Sequence, residues 1–149
     1  MDTRLVGTGI ALFLCAYAQA SPLFTLFGVR VDVALALAVL TAFSFGALYE
    51  CAFLVIAAAY GLSAGIGFVP ALLFFAAVFA ITQGVHRAMP WQPFLAGCAI
   101  VLFFSFLTYV SLDSRLMVSL ALPAAREAFC NVAVFAALYA FVPPRYARL

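Results

Sequence analysis

Residues 43–84 read FSFGALYECAFLVIAAAYGLSAGIGFVPALLFFAAVFAITQG, and the fold turns on how that run is divided. It carries one formal charge, Glu50, and the next charged residue is Arg87. A single helix from Cys51 to Gly84 would be about 50 Å long at ~1.5 Å per residue. The hydrocarbon core of a bilayer is only ~30 Å thick. The run therefore has to fold back on itself. The segment GLSAGIGFVP, residues 61–70, holds three glycines and a proline, the residues that end one helix and begin another. The expectation is two short helices, Gly46 to Tyr60 and Pro70 to Gln83, forming a central apolar hairpin.

Composition gives this hairpin its surroundings. Of 149 residues, 69% are hydrophobic and 8% charged, and mean hydropathy is +1.25. Soluble domains carry ~25% charged residues, so seven basic and five acidic side chains cannot cover a water-facing surface of this size. The apolar runs are continuous and lack the two-residue alternation of a membrane β-barrel. The fold class expected is an all-α polytopic membrane protein, one domain of five to six transmembrane helices with a short central helical hairpin.

The other helices follow from apolar runs and their breakers. The N-terminal stretch from Val6 to Gln19 reads as a first membrane helix rather than a cleaved leader, although Ala18-Gln19-Ala20 mimics a processing site. Leu23 to Gly28 continues the apolar surface, and a polar turn follows at Gly28 to Asp32. Asp32 opens a helix over Val33 to Leu40, where an acid meets the positive end of the helix dipole. Pro93 to Leu112 is the clearest full span, and Asp113-Ser114-Arg115 ends it. Leu116 to Leu122 is expected as a short re-entrant piece stopped by Pro123, and Ala124 to Val142 as the last span. Trp91, in the loop before Pro93, suits an interfacial anchor. Six crossings put both termini on one side. Arg4, Arg87, Arg145 and Arg148 then oppose Arg30, Arg115 and Arg126, and the positive-inside rule places the termini in the cytoplasm.

Few residues can carry chemistry. No metalloprotease, phosphate-loop, nucleophile-elbow or dinucleotide motif is present, there is no lysine, and His86 is the sole histidine. Cys15, Cys51, Cys98 and Cys130 lie singly in apolar runs and read as small hydrophobes. A net charge of +2, scattered, gives no nucleic-acid footprint. No cofactor, no metal and no enzymatic activity are expected. The polar candidates are Asp32, Glu50, and the group Arg126, Glu127 and Asn131. Glu127 and Asn131, four apart, share a helix face. For each the structural alternative is plain: headgroup-level solvation for Asp32 and Glu50, and interhelical hydrogen bonding for the last group.

The order of these features resembles a known family. It comprises an acid-ended turn into an apolar helix (Val31-Asp32-Val33-Ala34-Leu35-Ala36-Leu37), a glycine-started helix (Gly46 to Leu54), and a Gly/Ser-rich break (Tyr60 to Gly67). It closes with Arg126-Glu127 and Asn131 before a basic stub. Over about Val29 to Tyr146 this is similar to the rod shape-determining MreD family of bacterial inner-membrane proteins. Two positions depart from that pattern: Val31 stands for the usual proline, and Tyr60 for an acid near the end of the third helix. The resemblance implies a non-enzymatic part of the cell-elongation machinery, with MreC-like and other elongation-complex partners. The architecture also looks similar to substrate-binding S components of energy-coupling-factor vitamin transporters. Those would need several polar groups around a cavity.

Overall fold

The computed structural model describes residues 3–20, 25–26, 29–89, 92–112 and 117–141, with side chains for all of these except 25–26, 29–30, 109–112 and 117–121. Six helices follow one another: α1 (Thr3–Ala20), α2 (Val33–Ser44), α3 (Leu48–Ile66), α4 (Phe68–Ala88), α5 (Pro93–Leu112) and α6 (Met117–Phe141). Between α1 and α2, the two-residue strands β1 (Thr25–Leu26) and β2 (Val29–Arg30) pair antiparallel, Thr25 opposite Arg30. This pair occupies part of the stretch read from the sequence as apolar surface followed by a polar turn. The expected Trp91 anchor, the Asp113-Ser114-Arg115 stop and the basic tail lie outside the described residues.

The central hairpin differs from its expected form. α3 runs on through Gly61 and Gly65 to Ile66, and α4 begins at Phe68, so the reversal is made by Gly67 alone. Gly67 has φ +87°, a conformation that a side chain disfavours. The other two glycines of the expected break serve packing instead. A Cβ on Gly61 would lie 2.5 Å from the Phe13 carbonyl oxygen and 2.9 Å from the Ala16 Cβ, and one on Gly65 would touch Ala20. α1 is pressed against α3 along this line, and Gly9 meets Phe53 further along it. The pairs Gly9–Phe53, Gly61–Ala16 and Gly65–Ala20 advance together, so α1 and α3 are parallel. α1 is thus an integral wall of the bundle.

With the break reduced to one residue, α3 and α4 are 19 and 21 residues long and no longer short. Both are long and apolar enough to cross a membrane, as is Leu122–Phe141 within α6. Among the described residues these are the clear spans, three where the sequence led us to expect five or six. The expected re-entrant piece, Leu116 to Leu122, is likewise absorbed from Met117 onward. Met117 to Phe141 is one helix with Pro123 inside it, as membrane helices tolerate where neighbours satisfy the freed backbone group.

The short helix at the centre is α2. It has 12 residues, about 18 Å at ~1.5 Å rise, and nine of them are buried. VALALAVLTAFS has no polar face, and a helix apolar all round belongs inside. It packs on α6, α4, α1, α5 and α3. Its two hydroxyls bond back to its own carbonyls, Thr41 Oγ1 to Ala38 O at 2.9 Å and Ser44 Oγ to Leu40 O at 3.1 Å. The surrounding helices carry buried stripes at helical spacing: Leu5, Gly9, Leu12, Ala16 and Gln19 on α1, and Ala124, Ala128, Asn131 and Phe135 on α6. On the outside stand Leu48, Tyr60, Leu73, Phe103 and Phe129. A large apolar exterior over an apolar interior is stable only against an apolar solvent.

Candidate functional site at the two ends of the buried helix

A helix enclosed by other helices has a problem at its ends. Its first N–H and last C=O groups have no partners within the helix and no bulk water to replace them. Here the two ends are served by polar side chains from four elements.

At the N-terminus Asp32 is the cap. Its Oδ1 accepts from the Leu35 N–H at 2.7 Å, which satisfies one of the orphan donors. Asn131, from the middle of α6, accepts the Asp32 N–H on Oδ1 at 2.7 Å. The other half of the same amide, Nδ2, donates to Ser105 Oγ on α5 at 2.8 Å. Gln19, one residue from the end of α1, accepts the Ala34 N–H on Oε1 at 3.3 Å. Asn131 and Ser105 are each 3% exposed, so these bonds form away from solvent, where an unmade one is costly. Four elements, α1, α2, α5 and α6, thereby meet at one node.

At the C-terminus the donor is Gln83 of α4. Its Nε2 bonds the carbonyls of both Ala42 and Phe45, the latter at 2.7 Å. The Phe45 carbonyl also takes the Cys51 thiol at 3.4 Å, and the Phe45 N–H closes on Thr41 O at 3.0 Å. A side-chain amide suits this position, because it presents N–H donors to the negative end of the dipole without burying a charge.

The candidates read from the sequence divide between these ends. Asp32 and Asn131 are brought together. Arg126 is exposed and Glu127 half-buried, one turn before Asn131 on α6. Glu50 lies at the opposite end, in the first turn of α3. Ala47 caps that helix without a side-chain acceptor, and Glu50 turns back so that Oε2 accepts the Ala47 N–H at 3.3 Å. Its Oε1 accepts from the Tyr49 hydroxyl at 3.3 Å. Tyr60, standing where the family pattern has an acid, is exposed on α3 beside Phe13 and Phe68. Gln19 and Gln83 read from the sequence as buried polar groups but not as site candidates, and Ser105 is added by the structure. Their signal was available: each is an uncharged hydrogen-bonding residue set inside an apolar helix, where a partner is obligatory. Among the described residues no His, Cys, Asp and Glu cluster suits a metal ion.

No family model matches the chain, and no curated protein or solved structure is detectably similar to it.

Proposed function

We propose that this chain is a multi-pass protein of a bacterial inner membrane that acts as a non-enzymatic scaffold of the cell-elongation machinery, as the likeness to the MreD family implies. In this reading six helices cross the bilayer, which puts both termini on one side, the cytoplasmic one. MreC-like and other elongation-complex proteins are the partners.

The observation that carries the reading is how the interior polar groups are used. A protein that captures a small ligand needs convergent polar groups around a cavity. Gln19, Gln83, Ser105 and Asn131 instead bond the backbone of α2 or one another. That use favours a rigid body that acts through its outer surface. On that surface α4 turns Ala76, Ala80 and Gly84 outward, and a Cβ at Gly84 would meet nothing within 4 Å. Rows of small residues let a partner helix approach closely in lipid.

Affinity capture of the tagged chain from its native membrane tests the proposal. The expected outcome is co-recovery of an MreC-like bitopic protein or a wall synthase. Recovery of neither, from a preparation that elutes as a single folded species, overturns it. A thermal-shift screen with vitamins runs beside the capture. A ligand that raises the melting temperature moves the assignment to the transporter S components.

A further inference from the structure

We infer that the α3–α4 hairpin ends within the lipid on the side opposite the termini, its tip from Ile66 to Val69 meeting lipid rather than water. The inference rests on the membrane-embedded reading above and adds where one hairpin stops.

Length carries the first part. Glu50 in the first turn of α3 and Arg87 in the last turn of α4 mark the polar edge on the termini's side. From Glu50 to Gly67 the helix rises about 26 Å, and from Gly67 to Arg87 about 30 Å, at ~1.5 Å per residue. The hydrocarbon core is ~30 Å thick and the bilayer with its headgroups ~40–45 Å. The tip therefore reaches the far edge of the core and lacks the length to clear the headgroups. Any tilt shortens its reach.

The chemistry of the tip agrees. One residue makes the turn, so there is no polar loop for water to solvate. From Gly61 to Pro70 the one polar side chain is Ser63, whose hydroxyl bonds Tyr60 O at 2.6 Å. The Gly67 N–H is bonded to Ser63 O and the Ala71 N–H to Gly67 O, while Pro70 has no N–H to satisfy. Ile66 and Val69 stand 54% and 63% exposed. The outward residues Ile56, Tyr60 and Leu73 lead into them with no charge between, so one apolar medium covers both.

α6 supplies a contrast on the same side. Asn131 lies at the depth of Asp32 and Gln19, and Gln19 neighbours the Ala20–Gly65 contact close to the tip. The exposed Arg126 is five residues further out on α6, about 7 Å beyond that depth by the helical rise. The exposed arginine of the far side thus lies beyond the hairpin, while Asp32, at the shallower depth, is engaged as the cap of α2.

Nitroxide labels test this in the full chain, reconstituted in phosphatidylethanolamine–phosphatidylglycerol vesicles. Cys15, Cys51, Cys98 and Cys130 are first replaced by alanine. Single labels then go on Val69→Cys, Ile56→Cys and Met89→Cys, and relaxation by oxygen is compared with relaxation by a water-soluble nickel complex. The expected oxygen-to-nickel ratio at Val69 lies with Ile56, in mid-helix, and well above Met89, which follows the charged end of α4. A Val69 ratio as low as that of Met89, with Ile56 high, overturns the inference and leaves the membrane reading standing. Low ratios at all three overturn both. A Val69 label shielded from both reagents means a protein covers the tip, and also overturns the inference. If the cysteine-free chain does not fold, Val69→Arg in the native chain decides. Loss of membrane-inserted yield is expected, and unchanged yield overturns the inference.

Discussion

Asn131 does two jobs with one amide, accepting from the Asp32 backbone and donating to Ser105. Asn131→Leu keeps the volume and leaves a buried N–H and a buried hydroxyl without that partner. Unmet buried groups cost about 1–3 kcal/mol in proteins generally and each membrane hydrogen bond about 0.6. We expect a loss of about 1–2 kcal/mol, read as lower thermal stability in mild detergent. Gln83 gives a sharper pair. Gln83→Leu removes the donors to Ala42 and Phe45, whereas Gln83→Glu sets an acceptor-only carboxylate against two carbonyls at the negative end of α2. Gln83→Glu should unfold at the lower temperature of the two, and the reverse order would remove the capping role. Glu50 differs, because its task needs an acceptor oxygen and no charge. Glu50→Gln retains that oxygen for Ala47, so stability should change by less than about 0.5 kcal/mol. Under the proposed scaffold role the same variant should rescue cell shape in a complementation assay if the carboxylate has no further use.

Among the elements, the glycines divide into those another helix has closed on and those left open. Gly61 is sealed by backbone atoms of α1, and Gly97 seats the Phe135 ring, where a Cβ would lie 2.6 Å from Cε1. Gly61→Leu should cost about 1–3 kcal/mol through separation of α1 from α3. Gly84→Leu, facing open space, should leave the melting temperature unchanged and lower partner recovery in the capture experiment. This division also explains what the sequence withheld. In water, clustered glycines break helices; in lipid they are equally the residues that let helices touch, and composition does not say which. Residues 61–70 looked like a ten-residue break because both uses were present, and only Gly67 needs a positive φ. α5 needed no such choice, and its expected bounds match the structure, although the clearest spans among the described residues are α3, α4 and the last part of α6 rather than α5. The apolar character of α2 was legible in VALALAVL, but the sequence reading stopped the helix at Leu40, and its last turn through Ser44 is buried helix as well. The capping partners of α2 were not legible. Asn131 lies 99 positions from Asp32 and Gln83 38 from Phe45, separations that only the packed bundle reveals.

For the molecule as a whole, direction is as informative as position. α1 and α3 run parallel, α2 runs against both, and α5 runs against α4, with Phe74 beside Phe104. α6 runs against α5, with Phe94 beside Tyr139. The helices alternate, and Thr3 and Phe141 come to the same end as Arg4, Glu50 and Arg87. Under the proposed orientation a fluorescent protein that matures only in the cytoplasm, fused at the C-terminus, should be bright, and a periplasmic phosphatase fused there inactive. The same arrangement sets a schedule for synthesis. As the chain leaves the ribosome, α2 emerges with an N-terminal end that waits for Asn131 and a C-terminal end that waits for Gln83. Its own length, about 18 Å, is too small to lodge across the bilayer alone. Until α4 arrives one end is raw, and until α6 arrives the other is, so nascent chains cut before residue 131 should be degraded while the full chain persists. The central helix is made second and finished last, which turns its amide clasps into a check on whether the whole protein has been delivered.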